Sequence, residues 1–164
     1  VDVCASQETV YAAACRIGGA EGYHSASWLW RLRGALDRLI GGPGLRRGRR
    51  DPEVIGYGET LDFWRVSDVE PGSLLELRAE MKLPGVATLT YEVESLGPRR
   101  SRLIQTARFK PKGLLGILYW YSVVPLHGFV FKGLLRGIAK AAEASSRSMT
   151  SLSMTEPKPS VESR

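Results

Sequence analysis

The sequence predicts one α+β domain, a curved antiparallel sheet closed on a long C-terminal helix. Three observations predict it. Apolar residues recur at helical spacing before residue 41 and at a period of two between residues 58 and 109; they then run almost unbroken from 113 to 131. At 164 residues the chain has the size of a single domain and can bury roughly two-thirds of its unfolded surface.

Residues 1–4 read as a first strand. Ser6 has the chemistry to cap a helix over 7–17, which Gly18-Gly19 stops, and Val10, Ala14 and Ile17 give that helix one apolar stripe. A second helix is expected over 27–40, where Trp28, Leu32, Leu36 and Leu39 recur at helical spacing while Arg31 and Arg38 occupy the other face. Gly and Pro punctuate residues 41–52, and Arg fills them, so this segment reads as an exposed loop.

The period of two is clearest over 74–83, where Leu75, Leu77, Ala79, Met81 and Leu83 alternate with Glu76, Arg78, Glu80 and Lys82. Pro84-Gly85 turns the chain. Residues 86–95 and 101–109 alternate in the same way, and the short connections imply antiparallel neighbours. The apolar run after Pro111 continues as an amphipathic helical pattern to about Ala144, and a kink or break is expected near Pro125. Residues 145–164, rich in Ser, Thr, Pro and charge, are expected to be a disordered tail, which sets the domain at 1–144.

The net charge is +6, and it is concentrated. Residues 31–50 hold seven Arg against Asp37 alone, four of them at Arg46, Arg47, Arg49 and Arg50, a patch able to attract anionic groups. Cys4 and Cys15 lack CxxC spacing and a nearby His, so reduced structural thiols are expected, with no metal and no cofactor in this chain. No secretory signal is read at the start of the chain, and a cytoplasmic setting is expected.

Particular strings go further: GGAEGYHSASWLWRLRGALDRLIGGPGLRRGRRDP at 18–52, LDFWRV at 61–66, LRAEMKLPG at 77–85, TARFKPKGLLGILYWY at 106–121 and PLHGFVFKGLLRGI at 125–138. Over about residues 5–140 the chain resembles the bacterial family catalogued as domain of unknown function 2867, of the START-like (SRPBCC) superfamily. The resemblance implies a helix-grip fold and a cavity between sheet and helix that takes an apolar or amphipathic small molecule. It also implies a working relationship with a Rossmann-type NAD(P)-binding domain of the short-chain dehydrogenase kind, preceding this one or acting beside it. It brings no reaction with it, and a fold alone assigns no site.

Among the polar residues of the strands, Asp62, Arg65, Glu80, Gln105 and Arg108, the candidate acid or base is Glu80, which would gain proton affinity if a cavity desolvated it. An ion pair with Arg65, Arg78 or Arg108 is the structural alternative. His127, just after Pro125, could contact a ligand or satisfy a carbonyl that the proline frees. Trp64, Tyr119, Trp120 and Tyr121 suit either a pocket wall or an ordinary core. The expected ligand contacts are therefore Trp64, Glu80, Tyr119, Trp120 and His127, with Glu80 and His127 as the catalytic candidates.

Three functions fit these residues: a ligand-binding module, a cyclase, dehydratase or isomerase using the same cavity, and a basic-patch adaptor for anionic membrane or protein surfaces. The loop at 41–50 matches no phosphate-binding fingerprint, and without interleaved aromatics it does not favour nucleic acid. The run 113–131 approaches the length of a bilayer span, but Pro125, His127 and its glycines argue for burial against the sheet instead.

Overall fold

The structure, a computed structural model, describes residues 1–17, 55–61, 63–80 and 82–155. Along these the elements are β1 (Asp2–Val3), α1 (Gln7–Cys15), β2 (Thr60–Leu61), β3 (Trp64–Glu70), β4 (Leu74–Ala79), β5 (Gly85–Gly97), β6 (Arg100–Pro111) and α2 (Gly113–Thr155). The expected second helix over 27–40, the loop with Arg46, Arg47, Arg49 and Arg50, and Asp62 lie outside the described residues.

The described strands form one antiparallel six-stranded sheet in the order β1-β6-β5-β4-β3-β2. β5 and β6 make its longest hairpin, turning at Pro98-Arg99. The register shifts between Val66 and Asp68 and again between Ser95 and Gly97, irregularities of the kind that bend and twist a sheet. At the far edge β1 pairs with β6, and the Val1 ammonium donates to the Leu103 carbonyl at 2.7 Å.

Alternation assigns the two faces. Val66, Leu75, Leu77, Leu89, Tyr91, Val93 and Leu103 are buried on the inner face, whereas Arg65, Arg78, Glu92, Glu94 and Arg102 sit on the outer. Both described helices cover the inner face. Ser6 caps α1, accepting from the Thr9 amide at 3.3 Å, and the buried Val10, Ala13, Ala14 and Cys15 turn toward the core. The second half of α2 contributes Val130, Leu134, Ile138 and Ala142. Leu134 and Ile138 are fully buried, each worth about 1.5–3 kcal/mol relative to exposure. A curved antiparallel sheet holding a long C-terminal helix is the helix-grip α+β arrangement.

Three features of α2 depart from the sequence expectation. The helix passes Pro125 without a break, because the proline lies on the exposed side, where water can satisfy the carbonyl it frees. It also continues past Ala144 to Thr155: Arg147 and Met149 favour helix, and the Thr150 and Ser151 hydroxyls are taken up locally by the Ser146 and Ser148 carbonyls. Finally, the apolar run 113–131 is not buried all round. Within it only Gly116, Tyr119, Trp120, Val123, His127, Val130 and Phe131 are buried or half-buried, along the side that faces the sheet.

Gly116 sets where that helix begins to pack. A Cβ there would collide with the Pro84 carbonyl and crowd Pro111, so only glycine lets the first turn of α2 seat on the β4–β5 connection. The Lys112 amide donates to the same Pro84 carbonyl at 2.8 Å, fixing the entry of the helix.

Candidate functional site

The region with the most chemistry lies beneath α2, on the inner face of β5 and β6. Tyr91 and Gln105 are register partners across these strands and therefore stand side by side on one face. Tyr91 is fully buried, and burial pushes its phenol well above the usual tyrosine range, so it stays protonated and keeps a hydrogen to donate. Its Oη is buried and makes no hydrogen bond among the described residues; the same is true of Gln105 Oε1. Gln105 Nε2 donates to the Phe131 carbonyl at 3.4 Å, tying β6 to α2.

An aromatic wall continues from there. The rings of Phe131 and His127 stack at 5.2 Å, His127 meets Trp120 at 6.0 Å, and Trp120 stacks on Phe109 at 5.3 Å. Tyr119 meets Phe109 as well, tilted, at 5.8 Å. Phe109 and Gln105 share the inner face of β6 because an even number of residues separates them along the strand. The wall is thus aromatic along its length, interrupted by the His127 imidazole, with a phenol and an amide at one end.

Of the residues expected from the sequence, the structure brings Tyr119, Trp120 and His127 together. Trp64 is buried against Phe63 (5.1 Å) on β3, three strand spacings or about 14 Å across the sheet from β6. Glu80 is elsewhere again. It is ion-paired with Arg65 on the outer face, and the Arg65 guanidinium also donates to the Gly58 carbonyl at 2.9 Å. The structural alternative for Glu80 is what the geometry displays.

By alternation alone Tyr91 is an ordinary inward residue of 86–95, and Gln105 one polar strand residue among several. The signal was available: in Leu103–Gln105–Ala107–Phe109 a glutamine occupies a register that alternation assigns to the buried side.

Two other places offer less chemistry. An open groove of about 270 Å³ is lined by Ser6, Thr9, Pro98, Arg99, Met149 and Thr150. Ser6 is already engaged in capping α1, and Arg99 donates to the Thr150 hydroxyl, so its polar groups are largely satisfied. Among the described residues no cluster of three or more His, Cys, Asp or Glu could hold a metal ion; Cys4 is exposed and Cys15 buried, and no disulfide joins them.

No curated protein matches the chain. It is similar to a solved structure, the crystal structure of a conserved protein from Geobacillus kaustophilus, at 15% identity over 86% of this chain and 93% of that one, with a TM-score of 0.37. The model of the family described as protein of unknown function (DUF2867) matches residues 1–134, from β1 into the core-packing half of α2, and the chain belongs to that family.

Proposed function

We propose that this domain binds an apolar or amphipathic small molecule against the aromatic wall of α2 and β6, with the polar end of the ligand held by Tyr91 and Gln105. One observation carries the reading: two register partners bury a phenol oxygen and an amide oxygen that find no hydrogen-bond partner among the described residues. Leaving such a group unsatisfied costs about 1–3 kcal/mol, a cost a ligand can remove. A ligand hydroxyl answers both groups at once, accepting from the Tyr91 phenol and donating to Gln105 Oε1. Phe109, Trp120 and Phe131 offer the apolar remainder a surface suited to rings or chains.

In this reading the domain presents a substrate to an NAD(P)-dependent reductase domain, the working relationship that the family resemblance implies. The enzyme reading rests on His127, the imidazole on the wall, because Glu80 faces Arg65 on the other side of the sheet.

The test is native mass spectrometry of the full chain purified from its own host, followed by displacement of a fluorescent fatty acid or sterol probe. Tyr91→Phe and Gln105→Met are expected to weaken probe binding about tenfold each while leaving the fold intact. A chain that carries no added mass, together with a Tyr91→Phe variant that is more stable and binds as before, would show the two oxygens to be a tolerated defect of packing.

A further inference from the structure

The opposite side of the same helix is apolar and open to solvent. Leu114, Leu118, Tyr121 and Phe129 follow one another at steps of three or four, with Pro125 between, and their exposures are 84, 69, 74 and 72%. Leu115 beside them is 76% exposed. Continuing along the same line, the outward positions change character abruptly to Lys132, Arg136 and Lys140, all exposed. Lys110 and Lys112 stand at the other end, also exposed. Between Glu94 and Glu143 the chain holds nine Lys and Arg and no Asp or Glu.

We infer that this stripe of α2 is a docking surface for an anionic lipid bilayer, on which the helix lies in the plane of the interface. An apolar ridge with tyrosine and phenylalanine, bracketed by cations at both ends, has the composition of a helix that sinks its apolar side among acyl chains and sets its basic residues among headgroups. By length and composition α2 could also cross a membrane, since it contains an 18-residue window of mean hydropathy 1.6, of which 11% is buried. Its attachment opposes that. Gly116 is wedged against Pro84 and Pro111, Trp120 stacks on Phe109, and Val130 and Leu134 are in the core, so a span would have to strip the helix from the sheet.

Charge decides among the other occupants. A second copy laid on this stripe would oppose cations to cations, and no acidic residue between Glu94 and Glu143 relieves them. Residues 31–50 of the chain itself, with seven Arg against one Asp, would add positive charge to positive charge. A phosphatidylglycerol surface supplies the missing sign.

The experiment is flotation of the full chain with phosphatidylcholine vesicles, with and without phosphatidylglycerol, across a salt series. The wild type is expected to float with the anionic vesicles and to be released by salt. The double variant Leu118→Glu/Phe129→Glu is expected to lose at least about tenfold in partitioning with an unchanged melting temperature, because both side chains face solvent. Lys132→Ser/Arg136→Ser serves as a second variant, expected to reduce anionic but not neutral binding. Several results would overturn the inference. These are no flotation of the wild type, retention after alkaline carbonate, unchanged flotation of either variant, a lowered melting temperature of Leu118→Glu/Phe129→Glu, which would mean the stripe packs against the chain or a second copy, or loss of binding only when Arg46, Arg47, Arg49 and Arg50 are replaced by Ser.

Discussion

The side-chain amide of Gln105 reaches up from β6 to the main-chain carbonyl of Phe131, at 3.4 Å, and in doing so leaves its own Oε1 buried without a partner among the described residues. That bond is long, and Phe131 sits where α2 passes from its exposed half to its core half. Replacing Gln105 by Met therefore removes one weak hydrogen bond and one orphaned oxygen together. The two effects oppose each other, and the expected change in unfolding free energy is within about 1 kcal/mol, read by urea titration. A loss above about 3 kcal/mol would show that this tie holds the helix on the sheet.

Gly116 leads to a larger effect. Its Cα lies against the Pro84 carbonyl with no room for a side chain, and both neighbours are backbone or proline ring, which cannot swing aside. Gly116→Val is expected to cost about 1–3 kcal/mol by overpacking, and to lower the melting temperature by about 2–4 °C for each of them. The neighbouring Leu115→Ala, at an exposed position, should change stability by less than about 0.5 kcal/mol.

The two substitutions differ because one helix serves two surroundings, and that division is where the sequence is hardest to read. Strand alternation placed Leu75, Leu77, Leu89 and Leu103 correctly inside, and Ser6 marked the start of α1, since these are local signals of period and capping. An apolar run has no such period. Nothing in residues 113–131 taken alone tells which side meets the sheet, and the answer depends on the approach at Gly116 and on the partner strands. Glu80 illustrates the same limit: its spacing allowed a catalytic or a paired carboxylate, and only the β3–β4 register brings it to Arg65.

Asp2 offers a test by titration. Hydrogen bonds from Arg102 and Arg100, at 2.9 and 3.0 Å, hold its carboxyl below the ordinary value of 3.8, and Arg102 is held up in return. A carboxyl depressed in the folded state stabilises above its unfolded value, and that contribution fades as pH falls through the folded value. The group is exposed, so the effect on stability is small and screened by salt. By NMR the Asp2 carboxyl is expected to titrate below 3.8, and Arg102→Met should move its midpoint upward. A midpoint that ignores the substitution would mean that β1 does not hold its place beside β6.

The end of α2 supports the last prediction. Residues 145–155 were expected to offer nothing to the fold, yet they form helix, and within them Ser145, Ser146 and Thr150 are half-buried. The Thr150 hydroxyl both bonds back to the Ser146 carbonyl and receives the Arg99 guanidinium from the β5–β6 turn, while Ser146 and Met149 face Ser6 and Thr9 at the start of α1. Truncation after Ala144 deletes these contacts and exposes the α1 cap to water. No large side chain in the deleted stretch is fully buried among the described residues, so the loss should be modest. It amounts to the order of 1–2 kcal/mol from one hydrogen bond and partial apolar contact, which at this chain length is a fall in melting temperature of about 2–8 °C. Arg99→Ala in the full chain should reproduce part of that fall, and combined with the truncation it should add almost nothing, since both remove the same contact. Additive losses would show that the Arg99–Thr150 pair does not exist in solution, and an unchanged melting temperature on truncation would return the domain's end to Ala144.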